Sequence, residues 1–268
     1  MAEEQEIIVI ERYCPPGVKN IIAAGGSAFI GEVDDCTVLK YALRAGDELT
    51  LSRLDTERKL LEIVGPHERI IGLQSFSETG LYLERAANGS VAQHLTSANS
   101  PSMQRRLLWC REAVEAVAWI HTKGVFHCDI NPTNLLLDSE FHVKLADFQG
   151  QLLSPDGSGE VLLDGCSSES TRFFCPREDE FKGDVRTELF ALGCTIYHII
   201  MGRSVYPDIK DGEDGWHEKV QSRFKAKEFP GDLPICSEIA RKCWLGEYIS
   251  ADALLLDMVA IESAYAGA

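Results

Sequence analysis

Asp129, Asn134 and Asp147 are the residues of this 268-residue chain whose types and spacing most plainly offer chemistry. They lie in His127-Cys128-Asp129-Ile130-Asn131-Pro132-Thr133-Asn134 and, further on, in Asp147-Phe148-Gln149-Gly150. Carboxylate and amide oxygens are natural ligands for hard cations, and a carboxylate on a short loop can also aim a hydroxyl and take its proton. The spacing alone is a weak signal, since an aspartate opening a turn a few residues before an asparagine is common in loops. The flanking sequence strengthens it. An apolar stretch at 134–137, a turn at Asp138-Ser139-Glu140 and a second stretch at 141–146 running into Asp147 predict a hairpin that delivers Asp129 and Asp147 to one end.

Upstream, Gly25-Gly26-Ser27-Ala28-Phe29-Ile30-Gly31-Glu32-Val33 is a glycine-rich turn between apolar runs, whose small residues let backbone N–H groups approach an anion. The run Thr37-Val38-Leu39 then ends in Lys40, a charge that needs partners if it sits at a strand centre. A helical pattern over 51–64 carries Glu57, and Leu81-Tyr82-Leu83-Glu84-Arg85-Ala86 reads as a strand leading into a hinge. Ser100-Pro101 is expected to cap a long helix whose apolar stripe is Leu107, Cys110, Val114, Val117, Ala118 and His121.

In this order the segments resemble those of eukaryotic protein kinases: the phosphate-covering G-x-G-x-x-G-x-V, the strand lysine of V-A-I-K, the catalytic H-R-D-L-x-x-x-N and the metal-binding D-F-G. Thr171-Arg172-Phe173-Phe174-Cys175-Pro176-Arg177 resembles the end of a kinase activation segment, 187–197 the buried helix after it, and Arg241-Lys242-Cys243-Trp244 a late helix. The resemblance runs from about residue 21 to 258. It implies an α+β, two-lobed protein-kinase-like fold, with a small antiparallel-sheet N-lobe holding one helix (about 1–86) and a larger, mainly helical C-lobe (about 87–268), as a single domain. It also implies ATP and Mg²⁺ as cofactors. Asp129 would orient the acceptor hydroxyl, Asn134 and Asp147 would bind the metal, Lys40 would position phosphates and Glu57 would pair with Lys40. ATP would be held by Gly26, Ala28, Gly31, Val33, Val38, Lys40, Leu83 as gatekeeper, Glu84, Ala86 and Leu136. A hydrophobic spine of Leu61, Leu73, His127 and Phe148 is implied as well.

Composition is consistent with this. A chain 45% hydrophobic can bury a substantial core, and its length matches one bare two-lobed domain. The formal net charge of -16 argues against nucleic acid and favours basic partners. The acidic start, Met1 to Glu6, has no basic n-region, and no apolar run approaches the ~20 residues of a membrane span. An intracellular protein, cytoplasmic or nuclear, is expected. The nine cysteines show no C-x-x-C pairing, so neither a zinc site nor a disulfide framework is indicated. Ser154-Pro155-Asp156-Gly157-Ser158-Gly159 has the composition of a mobile loop inside the activation segment.

Several positions depart from the family pattern. Cys128 replaces the arginine that in many kinases binds a loop phosphate, which implies activity independent of loop phosphorylation. Asn131 stands where serine/threonine kinases carry a lysine contacting the transferred phosphate. Gln149 either replaces the glycine of the metal motif or is inserted before Gly150. Arg177 replaces the glutamate of A-P-E, with Glu178 a candidate substitute, and Tyr248 stands where the arginine that pairs with that glutamate is expected. Glu188 takes the usual aspartate position of the buried helix, able to accept backbone hydrogen bonds from the His127 loop; Asp184 is the less favoured stand-in. Three readings follow: a divergent serine/threonine protein kinase acting on a protein substrate, which the Pro132 context favours; a pseudokinase serving as a nucleotide-binding or scaffold module; and a small-molecule or tRNA-modification-complex kinase. Oligomeric state is not readable.

Overall fold

The computed structural model describes residues 12–267, so the acidic start lies outside the described residues. The chain forms two compact units, one comprising Met1–Asp55 with Leu73–Arg85, the other Thr56–Gly72 with Ala86–Ala268. The architecture is the two-lobed α+β one, a sheet-rich N-lobe and a mainly helical C-lobe.

The first unit is built on one antiparallel sheet. Its strands β1 (Asn20–Ala24), β2 (Ala28–Glu32), β3 (Thr37–Ala42), β4 (Leu73–Ser77) and β5 (Gly80–Glu84) lie in the order β1-β2-β3-β5-β4. Side chains alternate between the faces of a strand, and the register sorts them. Phe29, Leu39 and Tyr41 form a buried cluster with Tyr13, Val18, Val33 and Tyr82 against it. The alternate residues Val38 and Lys40 lie opposite Leu83 and Leu81 on the other face. Glycine is required at Gly31, where a Cβ would fall 2.5 Å from Val18 Cγ1 and 3.0 Å from Tyr41 Cε1.

Helix α1 spans Glu48–Val64, starting three residues before the pattern suggests. Asp47 explains the early start: its carboxylate accepts from Thr50 N at 3.3 Å and from Thr50 Oγ1 at 2.9 Å, satisfying donors that a helix start leaves unpaired.

The second unit packs helices around two small sheets. Helix α2 (Val91–Leu95) is a single turn closed by a Ser90–Gln93 capping box. Helix α3 (Met103–His121) is buried well beyond the expected stripe, with Trp109, Glu112, Ala113, Ala116 and Ile120 also inside. Its cap is Ser102, not Ser100-Pro101: Ser102 Oγ accepts from Arg105 N at 3.2 Å, whereas Ser100 Oγ accepts from the Arg106 guanidinium at 2.6 Å. Strands β7 (Leu135–Leu137) and β8 (Val143–Leu145) form the expected hairpin. A second sheet runs β10-β9-β6, from β6 (Val125–Phe126), β9 (Gln151–Leu153) and β10 (Val161–Asp164). The 154–159 stretch is therefore the turn of a hairpin rather than an open loop, closed by Ser154 N to Glu160 O at 2.8 Å and Ser158 N to Asp156 Oδ1 at 2.9 Å.

Helix α4 (Val185–Met201) is the core of this unit, buried along most of its length. Asp184 caps it, exchanging hydrogen bonds with Thr187, and Gly202 ends it at φ 69°. Helices α5 (Trp216–Lys225), α6 (Ser237–Leu245) and α7 (Ala251–Ala266) follow; α4 packs on α6, and α3 on both α4 and α7. Gly193 permits the α4–α6 contact, since a Cβ there would lie 2.6 Å from Cys243 Cβ. No helix among the described residues is long and apolar enough to cross a membrane.

The expectation for Arg177 and Tyr248 needs correction. The Arg177 guanidinium forms a two-pronged bridge to Glu169, at 3.1 and 2.7 Å, and that carboxylate side chain is 1% exposed. Glu169, not Glu178, is the acid there, and Tyr248 hydrogen-bonds Asp257 instead at 2.7 Å. Along the implied spine, Leu61, His127 and Phe148 are buried, with the His127 and Phe148 rings 5.1 Å apart. Leu73 is only half-buried and belongs to the first unit.

Candidate active site

The loop between β6 and β7 owes its shape to Glu188 and Asn131. Cys128, at φ 60°, points its N–H into the buried Glu188 carboxylate at 2.7 Å, and Thr195 Oγ1 on α4 donates to Ile130 O at 3.3 Å. Burial alone would push Glu188 up; the hydrogen bond from His121, the nearby imidazoles and the backbone donors outweigh it and hold the carboxyl below its usual range. Asp184, the other acid considered, is the cap of α4.

Within this loop Asn131 Oδ1 accepts from Thr133 N at 2.8 Å, and Asn131 Nδ2 donates to Asp129 Oδ1 at 2.9 Å and to Asp129 O at 3.1 Å. Asn134 matches it from the other side, its Nδ2 reaching Asp129 Oδ2 and Asp129 O, each at 2.9 Å. Both oxygens of Asp129 are thus held by neutral amides. Burial raises the Asp129 carboxyl above the ordinary aspartate value; the His127 ring and the two asparagines offset part of this, and the nearby Asp147 charge adds to it.

Asp147 follows β8. Ala146 N donates to Asn134 O at 3.0 Å and His127 Nε2 to Ala146 O at 2.8 Å, fixing the strand end against the loop. Asp147 takes φ 68°, Phe148 is fully buried, and Gln149 Nε2 donates to Asp147 Oδ1 at 3.0 Å. The glycine requirement falls at Gly150, where a Cβ would lie 2.0 Å from Phe126 O.

The candidates thus assemble in two groups. In the second unit Asp129, Asn134 and Asp147 come together, with Glu57 fully buried on α1 and Leu136 half-buried on β7. In the first unit Val38 and buried Lys40 lie on β3, paired with Leu83 and Leu81, and Thr37 pairs with Glu84. Ala28 lies opposite Ala42 at the other end of β2. Gly26 sits in a turn closed by Gly25 N to Ala28 O at 2.8 Å, and a Cβ on it would meet nothing within 4 Å. Gly31 and Val33 are placed on the Tyr41 side, away from Val38 and Lys40. Lys40 belongs to the first unit, and Glu57 and Ala86 to the second.

Three side chains make contacts that the sequence reading did not anticipate. Asn131 is a clamp for Asp129, a role its two-residue spacing could have suggested. Gln149, noted only as a departure from the metal motif, contacts Asp147, and Gln151, which nothing in its local pattern marks, bridges Asp164 Oδ2 at 3.1 Å and Phe181 O at 2.9 Å.

A metal would find oxygen donors here. Among the described residues there is no group of three or more His, Cys, Asp or Glu able to hold a metal by themselves. Mg²⁺ keeps several waters and takes one or two protein oxygens plus phosphate, so the oxygens of Asn134 and Asp147 would be the donors for it. Asn134 directs its amide nitrogen at Asp129, so its carbonyl oxygen is the atom it would offer a cation, and the Asp147 charge lies near Asp129.

The sequence model described as Protein kinase domain matches residues 33–245. The chain is 29% identical over 189 residues to 3-phosphoinositide-dependent protein kinase 1 of Arabidopsis thaliana, covering 64% of this chain and 38% of that protein. It is 26% identical over 185 residues to mitogen-activated protein kinase kinase kinase 20 of the same plant (64% and 53%). To Aurora kinase A-A of Xenopus laevis it is 28% identical over 181 residues (65% and 41%). The chain spans about half or less of the length of these relatives. The match over 33–245, together with the fold and the order of its motifs, makes this chain a member of the protein kinase domain family.

Proposed function

We infer that the chain is an active, ATP-dependent serine/threonine protein kinase. The observation that carries this reading is the Asp129 carboxylate, clamped by Asn131 and Asn134 beside Asp147. Phosphoryl transfer asks a protein mainly for positioning and charge stabilisation, and this loop is a positioning device. Asp129 orients the acceptor hydroxyl and takes its proton as the new O–P bond forms and the bond to the ADP oxygen breaks. Lys40 would position the phosphates, the role that the family resemblance gives it. Asn134 and Asp147 would hold Mg²⁺, which when bound would neutralise phosphate charge. The proposed substrate is a basic protein, given the net charge of -16, and the proposed setting is intracellular, cytoplasmic or nuclear.

A second reading, a nucleotide-binding pseudokinase, has one observation in its favour. The Asn131 side chain is fully engaged within the loop and, being neutral, cannot offset charge on a transferring phosphate. Transfer of labelled γ-phosphate from Mg·ATP to a mixture of basic serine- and threonine-containing proteins separates the two. Label that requires intact Asp129 supports the kinase reading. No label above the Asp129→Asn control, from folded protein, leaves the pseudokinase.

A further inference from the structure

Gln149 occupies a position where the family's metal motif carries no side chain, and in this chain the side chain has a specific partner. Its Nε2 donates to Asp147 Oδ1 at 3.0 Å. A carboxylate can only accept, so this contact fixes the amide orientation as well.

The backbone around Gln149 is equally constrained. Phe148 is fully buried against His127, and Gly150 passes so close to the Phe126 and His127 carbonyls that a Cβ would lie 2.0 and 2.5 Å from them. Gln149 O accepts from Ser167 N at 3.0 Å, and Gly165 N donates to Gly150 O at 2.9 Å. A Cβ on Gly165 would stand 2.4 Å from Gln149 O. The residue is held on one side by the crossing at β6 and on the other by the 165–167 turn, while its amide grips the aspartate two positions back.

We propose that Gln149 is a positioning residue for the metal ligand Asp147: its amide fixes the carboxylate, and its carbonyl ties that carboxylate to the 165–167 turn of the activation segment. This rests on the reading of Asp147 as a Mg²⁺ ligand. The amide engages one carboxylate oxygen and so restrains the rotation of the group. Because Mg²⁺ demands near-octahedral ligands whereas Ca²⁺ tolerates irregular ones, a fixed carboxylate favours the smaller ion. Hydrogen bonds to a ligating group tune both affinity and choice of metal.

The test is binding, not turnover. A fluorescent ADP analogue is titrated onto the whole chain at varied Mg²⁺, at varied Ca²⁺ and with chelator, using the unsubstituted protein, Gln149→Met, which keeps the volume without the donor, Gln149→Gly, and Gly165→Ala. Thermal melts check that each is folded. Loss of the amide is expected to raise half-saturating Mg²⁺ about tenfold in both Gln149 variants, to raise Ca²⁺ far less, and to leave chelator-treated binding within about twofold. Gly165→Ala is expected to shift Mg²⁺ in the same direction without touching the metal. Unchanged Mg²⁺ half-saturation in the Gln149 variants, or an equal loss of binding in chelator, overturns the positioning role, and an unchanged value in Gly165→Ala overturns the tie to the turn. If the unsubstituted protein binds ADP with no Mg²⁺ dependence, the metal reading of Asp147 falls first and the inference with it.

Discussion

Four amide hydrogen bonds converge on Asp129, from Asn131 and Asn134 to its carboxylate and its carbonyl. They hold the carboxylate in one orientation without supplying a positive charge, so burial keeps its pKa raised. The consequences for activity and for stability differ. Transfer needs the ionised form, so activity falls as pH drops through that raised value, at a higher pH than for an ordinary aspartate. Asp129→Asn relieves the buried charge but turns one of the two acceptor oxygens into a donor facing an asparagine amide, so its melt is expected to shift by only a few degrees while transfer falls about 10²-fold or more. A melt that drops by many degrees would mean that the carboxylate also holds the loop. Asn131→Ala is the complementary case. It leaves Thr133 N–H without its acceptor and is expected to cost about 1–3 kcal/mol, read as a lower urea midpoint at constant slope; an unchanged midpoint contradicts a clamping role.

At the level of elements, the segment from 164 to 183 is held by side chains on each flank. Arg177 grips Glu169 and donates to the carbonyls of Cys175, Asp179 and Glu180, while Gln151 on β9 spans Asp164, Phe181 and Gly183. Burial raises the Glu169 carboxyl, and the Arg177 hydrogen bonds and charge offset only part of that. Removing one member of a buried pair costs about 3–5 kcal/mol because the other charge is stranded. Arg177→Ala is therefore expected to destabilise strongly near neutral pH and less at acidic pH, where Glu169 protonates, and Arg177→Met with Glu169→Leu is expected to recover much of the loss. Denaturant midpoints of the single and double variants at two pH values decide the matter; equal cost at both values refutes the stranded-charge account.

Helix α4 carries its own acid sensitivity. His198 is stacked near Phe173, and burial, with the Arg172 charge, lowers its pKa from 6.5 to about 4. The unfolded chain then binds the proton first. Stability is full above the unfolded value and declines as pH falls from there toward the folded one. The decline is on the order of 3 kcal/mol in total. His198→Gln should flatten that part of the stability curve, and a curve of unchanged slope between pH 6.5 and 4 assigns the acid sensitivity to other groups.

For the molecule as a whole, the formal charge of -16 is the dominant long-range feature. A field of that sign draws in basic partners and is screened within about 10 Å at 0.1 M salt. Transfer to a basic peptide is expected to lose kcat/KM severalfold between about 0.05 and 0.3 M salt, mainly through slower association. An acidic peptide should show the reverse trend. Salt-independent rates for both would confine the charge to a solubility role.

The 135–145 hairpin was readable from residue types and spacing, while the order of motifs, the buried helix after the activation segment and its Glu188 came from the resemblance to protein kinases. The hairpin was readable because near-neighbour geometry governs it: strand alternation and turn residues repeat within a few positions. The helix starts at Glu48 and Met103 were misplaced by a few residues, because side-chain partners there, Thr50 for Asp47 and Arg106 for Ser100, decide which residue becomes the cap. The Glu169–Arg177 bridge, Asn131 turned back on Asp129, Gln149 on Asp147, and Gly150 and Gly193 as crossing points belong to the tertiary structure. The Glu169–Arg177 bridge and the crossings at Gly150 and Gly193 join residues with no fixed spacing along the chain, and the two contacts between residues two apart, at Asp129 and Asp147, depend on where a loop directs its side chains. The sequence, through its motifs' resemblance to a known family, determined that this chain carries the segments of a protein kinase domain; only the tertiary structure decided which side chains hold those segments in place, because those contacts depend on where folding directs each side chain.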